Sequence, residues 1–86
     1  MNIKKISYSH HALEQMRERG ASHREVEEAI DKGEQIPVKK GRIAFRHNFQ
    51  FEAKWGDKEF AIKQVMPIVV EDNDEYIVVT VYTFYF

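Results

Sequence analysis

The sequence predicts an α+β domain in which two N-terminal helices pack on an antiparallel β-sheet of three to four strands. Three observations carry that prediction. Between Ser9 and Gly33, apolar residues recur at three- and four-residue spacing, the period of a helix with one buried side. From Arg42 to Trp55 the period changes to two, the alternation of a strand with one buried face. From Tyr76 to Phe86, apolar and aromatic residues fill both parities, as in a central strand covered on both sides. Helices first and strands afterwards is the order of an α+β architecture.

Residues 2–8, NIKKISY, do not alternate cleanly. They read as a short edge strand or an extended lead-in, and Lys4 and Lys5 suit an edge. Ser9 is a good N-cap, because its hydroxyl accepts from an orphan N–H one turn on. Ala12, Leu13, Met16 and Gly20 then form an apolar stripe, while His11, Gln15 and Arg19 recur every four residues as a polar one. Gly20 suits the left-handed residue that ends a helix. Ser22 and Glu25 form a capping box for the second helix, whose buried side is Val26, Ala29 and Ile30. Gly33 is expected to close that helix as Gly20 closes the first.

Gln35 to Val38 reads as a short extended piece limited by Pro37, and Lys39-Lys40-Gly41 as a turn. In the long strand, Ile43, Phe45, His47, Phe49, Phe51, Ala53 and Trp55 share one parity. The aromatics among them are expected to be buried against Leu13, Met16, Val26 and Ile30. A strand this long usually bends, and His47-Asn48 is the expected bulge. Gly56-Asp57-Lys58 reads as a hairpin turn. Phe60 to Val70 is the return strand, irregular near Pro67, and Glu71 to Glu75 is the next turn. In the last strand Val78 and Val79 are both expected to be buried.

A chain of 86 residues makes a single domain, 1–86. Hydrophobic residues at 43% supply a core, and charges of mixed sign exclude disorder. There is no cysteine, which excludes a disulfide frame and a thiolate metal site. The opening MNIKKISYSHH holds no apolar stretch of signal-peptide length, and no segment approaches the ~20 apolar residues of a membrane span. The expectation is a cytoplasmic protein with no membrane contact. A net charge of −1 argues against non-specific coating of nucleic acid. Lys39, Lys40, Arg42, Arg46 and His47 nevertheless form a basic cluster, either a hold for one short RNA segment or a solvated loop and strand face.

His11 lies in the first turn of a helix, where the dipole opposes a protonated imidazole. A histidine there is suited to act as a general acid or base near neutral pH; the plain alternative is a packed or hydrogen-bonded residue. His10 and His11 point to different sides of a helix, and His23 and His47 have no motif spacing to either. No H-E-x-x-H, paired-carboxylate or Gly-rich phosphate motif is present, so no metal and no cofactor are expected.

The run YSHHALEQMRERGASHREVEEAI resembles the S-x-H-A-L-x-R-M-x-E-R-G-I-S-x-x-E-V-x-x-A-I opening of a bacterial and archaeal family, domain of unknown function 4258. IVVTVY resembles that family's closing strand. The family is grouped by fold argument with the RelE/ParE-like toxins and related metal-independent ribonucleases. The resemblance therefore implies a RelE/ParE-like fold and a toxin-like, metal-independent endoribonuclease or a degenerate relative of one. In that reading the RNA's own 2′-hydroxyl is the nucleophile, and His11, Arg19 and Tyr82 are the catalytic candidates. Arg46, Lys39, Lys40, Arg42 and Thr80 are the RNA-binding candidates. Implied partners are RNA and an antitoxin-like protein. The chain departs from the pattern at Ala21, where the family has isoleucine, and at Gln15, where it has arginine. Gln15 favours the alternative, a non-catalytic protein-interaction module of the same fold that binds a protein partner through Tyr82, Phe84, Tyr85 and Phe86; a small homodimer is a third reading.

Overall fold

A computed structural model describes residues 4–86. The chain runs β1 (Lys5–Tyr8), α1 (His10–Arg19), α2 (His23–Lys32), β2 (Glu34–Val38), β3 (Arg42–Trp55), β4 (Lys58–Asp72) and β5 (Glu75–Tyr85). The strands form one sheet in the order β1-β5-β4-β3-β2, with β1 parallel to β5 and the other pairs antiparallel. This corrects the expected antiparallel sheet of three to four strands: among the described residues there are five, and the sheet is mixed. Both short extended segments flanking the helices have become edge strands. β1 precedes the helices yet pairs with the last strand, a partner about seventy residues away that local periodicity does not reveal. The expected lead-in began at residue 2; residues 1–3 lie outside the described part.

The helix ends follow their local chemistry. The Ser9 hydroxyl accepts from Ala12 N–H, and Ser22 with Glu25 completes a capping box. Gly20 ends α1 at φ +80°, and a Cβ there would meet the Trp55 ring at 2.6 Å and the Tyr85 hydroxyl at 2.9 Å. Gly33 differs from expectation. Its φ of −77° is open to any residue; what demands glycine is close approach, since a Cβ would collide with Ala29 O and lie 2.8 Å from Arg46 O.

Both helices pack on one side of the sheet. Ala12, Met16, Ala21, Val26 and Ile30 meet Phe45, Val65, Val69, Val78 and Val81. Leu13, expected in this core, is 37% exposed beside Arg17 and His23. The β3 parity holds in its first half: Phe45 is buried, Phe49 packs against the core, and Arg46, Asn48 and Gln50 are exposed. The bulge is not at His47-Asn48 but between Gln50 and Ala53, where Glu52 has φ +46°. At the same level Ala61 and Ile62 N–H both donate to Phe86 O. These irregularities gather Phe51, Trp55 and Phe60 around Tyr85. Trp55 stacks on Tyr85 at 4.9 Å with one side in water, so it is half-exposed rather than buried.

On the return strand, the irregularity near Pro67 falls between Ile68 and Val69. Ile68 pairs with Thr80 and Val69 with Val78, so Val79 is the extra residue on β5. Val78 is fully buried; Val79, carried out of the pleat, is only half-buried.

Candidate functional site

β1 ends at Tyr8, opposite Val78. Beyond that row no strand among the described residues lies on the outer side of β5, and α1 runs alongside it. Ser9 N–H donates to Val78 O at 2.9 Å, which starts the helix at this point. One polar stripe of α1 then closes the open edge. Gln15 is buried, and its Oε1 accepts Val81 N–H at 2.9 Å. Arg19 Nη1 donates to Val81 O at 2.8 Å. The Thr83 and Tyr85 hydroxyls donate to Arg19 O at 2.9 and 2.8 Å. At Val81, side chains thus supply the partners that a further strand would otherwise give.

The Arg19 guanidinium also reaches over the Tyr82 ring, 5.2 Å from its centroid. Tyr82 in turn stacks with Phe84, with ring centroids 6.3 Å apart and planes 18° from parallel. Both rings stand on the face of the sheet opposite the helices. The strand register sets that face in rows. Arg46 lies beside Met66 and Met66 beside Tyr82; Asn48, Gln64 and Phe84 form the next row; Ala44, Ile68 and Thr80 form the row on the other side. The Gln64 amide donates to Asn48 Oδ1 at 2.9 Å across the second row. Val70 and Ile77 pair one step further along. Tyr82 and Phe84 are 38% and 40% exposed, and Phe86 63%.

The expected site residues fall into three places. Arg19, Tyr82 and Thr80 lie on the open part of β5 or against it. Arg46 shares the row of Tyr82, two strands away, and its charge is met by Glu34 at 2.6 Å. Lys39 and Lys40 sit at the β2–β3 turn; Arg42, ~13 Å along β3 from Arg46, lies on the same face but two rows away, beside Val70. His11 is exposed on the first turn of α1, ~6 Å along the helix axis from Gln15. Among the described residues no group of three His, Asp or Glu side chains is placed to hold a metal ion. Among the described residues no helix is long and apolar enough to cross a membrane.

Sequence reasoning missed two features. Gln15 reads as a solvent-facing stripe member, yet it is a buried edge partner. Lys63 is 5% exposed, with Nζ bonded to Gly20 O and 2.8 Å from Glu25 Oε1. A signal for Lys63 was present: it occupies the parity of β4 that otherwise carries Val65, Pro67 and Val69. Burial raises the pKa of the Tyr85 phenol, with a further push from the Glu25 charge against a lowering hydrogen bond to Thr83. Burial likewise raises Tyr8, helped by the charge and hydrogen bond of Glu27.

Comparison with curated proteins and with solved structures returned no match. The family profile described as Domain of unknown function (DUF4258) matches residues 8–83, from the end of β1 to the open part of β5, and the chain belongs to that family.

Proposed function

We propose that this protein is a non-catalytic protein-interaction module whose working surface is the helix-free face of the sheet. The observation that carries the reading is the exposed, stacked pair Tyr82–Phe84, held by Arg19 at one end of a partly exposed apolar strip of Met66, Ile68, Val70 and Ile77. Aromatic residues, Met and Arg are the types enriched where proteins meet. Contiguous exposed apolar surface on a small protein marks such a meeting place. Gln15 and Arg19 support the same reading, because both are committed to Val81 and leave little charge free for chemistry. The test is a photo-crosslinking amino acid placed at position 66 or 84 in the expressing cell, with position 28 on the helix side as control. Protein adducts at 66 and 84 alone are expected. RNA adducts there, or protein adducts equally at 28, would count against the module.

A second reading is the ribonuclease-like one, favoured by the exposure of His11 on the same edge that Arg19 covers. In it His11 takes the proton from a ribose 2′-hydroxyl, whose oxygen attacks the adjacent phosphorus. The 5′-oxygen leaves with a proton, giving a 2′,3′-cyclic phosphate. Arg19 supplies positive charge beside Tyr82. An antitoxin-like protein and RNA are the partners of this reading, and its link to RelE/ParE-like ribonucleases stands on sequence resemblance alone. Incubation with a labelled single-stranded RNA decides it: cyclic-phosphate ends that vanish in His11→Ala support cleavage, and intact RNA excludes it.

A further inference from the structure

We propose that the occupant of the helix-free face is a second copy of this chain, packed sheet on sheet about a two-fold axis running along β4. The inference rests on the interaction-module reading and names its partner.

The register makes the face self-complementary about that axis. A two-fold along β4, lying between the sheets, keeps each row in place and exchanges its two ends. One copy's β3 then lies over the other copy's β5. In the central row, Arg46–Met66–Tyr82 meets Tyr82–Met66–Arg46. Met66 packs on Met66 at the axis, where a flexible thioether fills an uneven gap. Each Arg46 comes over a Tyr82, whose hydroxyl oxygen can accept from a guanidinium. The Tyr82 ring is already fixed between Arg19 and Phe84, so little freedom is lost when it is covered. In the neighbouring rows the Ala44 position comes over Thr80, and the Asn48 amide over Phe84. Ala44 is 2% exposed, covered within its own sheet, so the contact in that row falls to Ile68 and Thr80.

Size agrees. The face spans β3, β4 and β5 over about nine residues, with the five of β2 beside one end; at ~4.8 Å between strands and ~3.3 Å per residue this is roughly 500 Å² in projection. Side-chain relief raises the accessible area towards the ~800 Å² per partner of a standard stable interface. Sheets that pack face to face keep their strands within about 30°, so the rows nearest the axis stay matched.

Two of the sheet's edges are poor sites for pairing with a second copy. β2 carries Pro37 as the fourth of its five residues and a charged residue, Glu34, at its start. On the open stretch of β5, both polar groups of Val81 are already taken by Gln15 and Arg19. The face therefore suits a second copy better than these two edges do.

Sedimentation velocity from ~1 to ~500 μM tests the proposal, a range that brackets dissociation constants of weak to moderate dimers. The wild-type chain is expected to pass to a dimer within it. Met66→Asp puts a charge against its own symmetry mate and should raise the dissociation constant ~100-fold, the scale of a lost interface centre. Phe84→Ser, a change at an exposed position, should weaken the dimer without loss of fold, and it stands in if Met66→Asp does not fold. The chain has no other cysteine, so Met66→Cys can be joined to its mate by a bismaleimide of ~10 Å reach, the spacing of packed sheets. Glu28→Cys on the helix side should not be joined. A wild type that stays monomeric at the top of the range overturns the proposal, as does a dimer that survives both Met66→Asp and Phe84→Ser. A monomer that still gives protein adducts at position 66 overturns only the identity of the partner. A monomer whose face binds single-stranded RNA, with binding lost in Phe84→Ser, overturns the module itself.

Discussion

The side chain of Gln15 accepts the backbone N–H of Val81 at 2.9 Å, while Arg19, one turn on, donates to the C=O of the same residue. Two side chains from one helix stripe thereby satisfy both polar groups of one strand residue. Gln15 stands where the family pattern has arginine. An arginine has no acceptor to offer Val81 N–H.

The first prediction follows. Gln15→Ala should destabilise the fold by about 1–3 kcal/mol, because it leaves a buried N–H without a partner. Gln15→Glu, which keeps an acceptor at the same place, should cost less than Gln15→Arg. Urea unfolding of the three variants measures this. Equal stability of Gln15→Arg and wild type would show that the edge is closed by something other than this bond.

Gly20 gives the second. Its φ of +80° is strained for any side chain, and a Cβ would press on the Trp55 ring and the Tyr85 hydroxyl. Gly41 also has positive φ, +70°, but a Cβ there meets nothing within 4 Å. Gly41→Ala should therefore cost about 1 kcal/mol from backbone conformation alone. Gly20→Ala should cost at least 1–2 kcal/mol more, through displaced aromatics. Thermal unfolding, with Trp55 fluorescence as the reporter of local repacking, separates the two. Matching losses would mean that the Trp55–Tyr85 stack yields freely.

The helices and the first half of β3 were legible because their signals are local. Ser9, Ser22 with Glu25, and Gly20 mark helix ends by the chemistry of their own side chains, and Phe45 and Phe49 follow the parity of β3. What was not legible depends on distant pairing. Only the stop of β1 at Tyr8 leaves Val81 open, and only then does Gln15 become a buried partner instead of a surface residue. Trp55 kept its parity in the sequence, but bulges at Gln50–Ala53 and Ala61–Ile62 re-aim the strand ends around Tyr85. The site residues divide in the same way. Arg19 and Tyr82 were found from helix spacing and strand parity, whereas the row joining Arg46 to Tyr82 exists only through the register of three strands.

Lys63 gives the third prediction. Its ammonium is held between Gly20 O and Glu25, and it links the end of α1, the start of α2 and β4. Lys63→Met should cost about 2–3 kcal/mol, since Glu25 loses its partner but keeps some contact with water. Adding Glu25→Gln should recover part of that loss, because the uncompensated charge is then gone. A double variant that is less stable by the full sum of the singles would show that the two residues do not act as a pair.

The last prediction concerns alkaline pH. The Tyr85 hydroxyl donates to Arg19 O at 2.8 Å, and burial raises its pKa above the ordinary value of 10.0. The folded state thus favours the protonated phenol more than the unfolded state does. That contribution is complete below pH about 10 and is lost as the pH rises through the raised folded value. Tyr8 adds to the same slope, since burial and the neighbouring Glu27 raise it too. Stability by urea unfolding should be flat with respect to these two groups between pH 7 and about 9 and fall above that. Other groups titrate in the same range, so the difference between variants isolates the effect. Tyr85→Phe should be less stable than wild type at neutral pH, by roughly 1 kcal/mol for the lost hydrogen bond. The gap should close as the pH climbs past 10, where the wild-type phenol itself becomes a liability. If the Tyr85→Phe gap stays constant from pH 8 to 11, the hydroxyl is not held protonated by the fold, and the junction between Arg19 and β5 owes its stability to Thr83 instead.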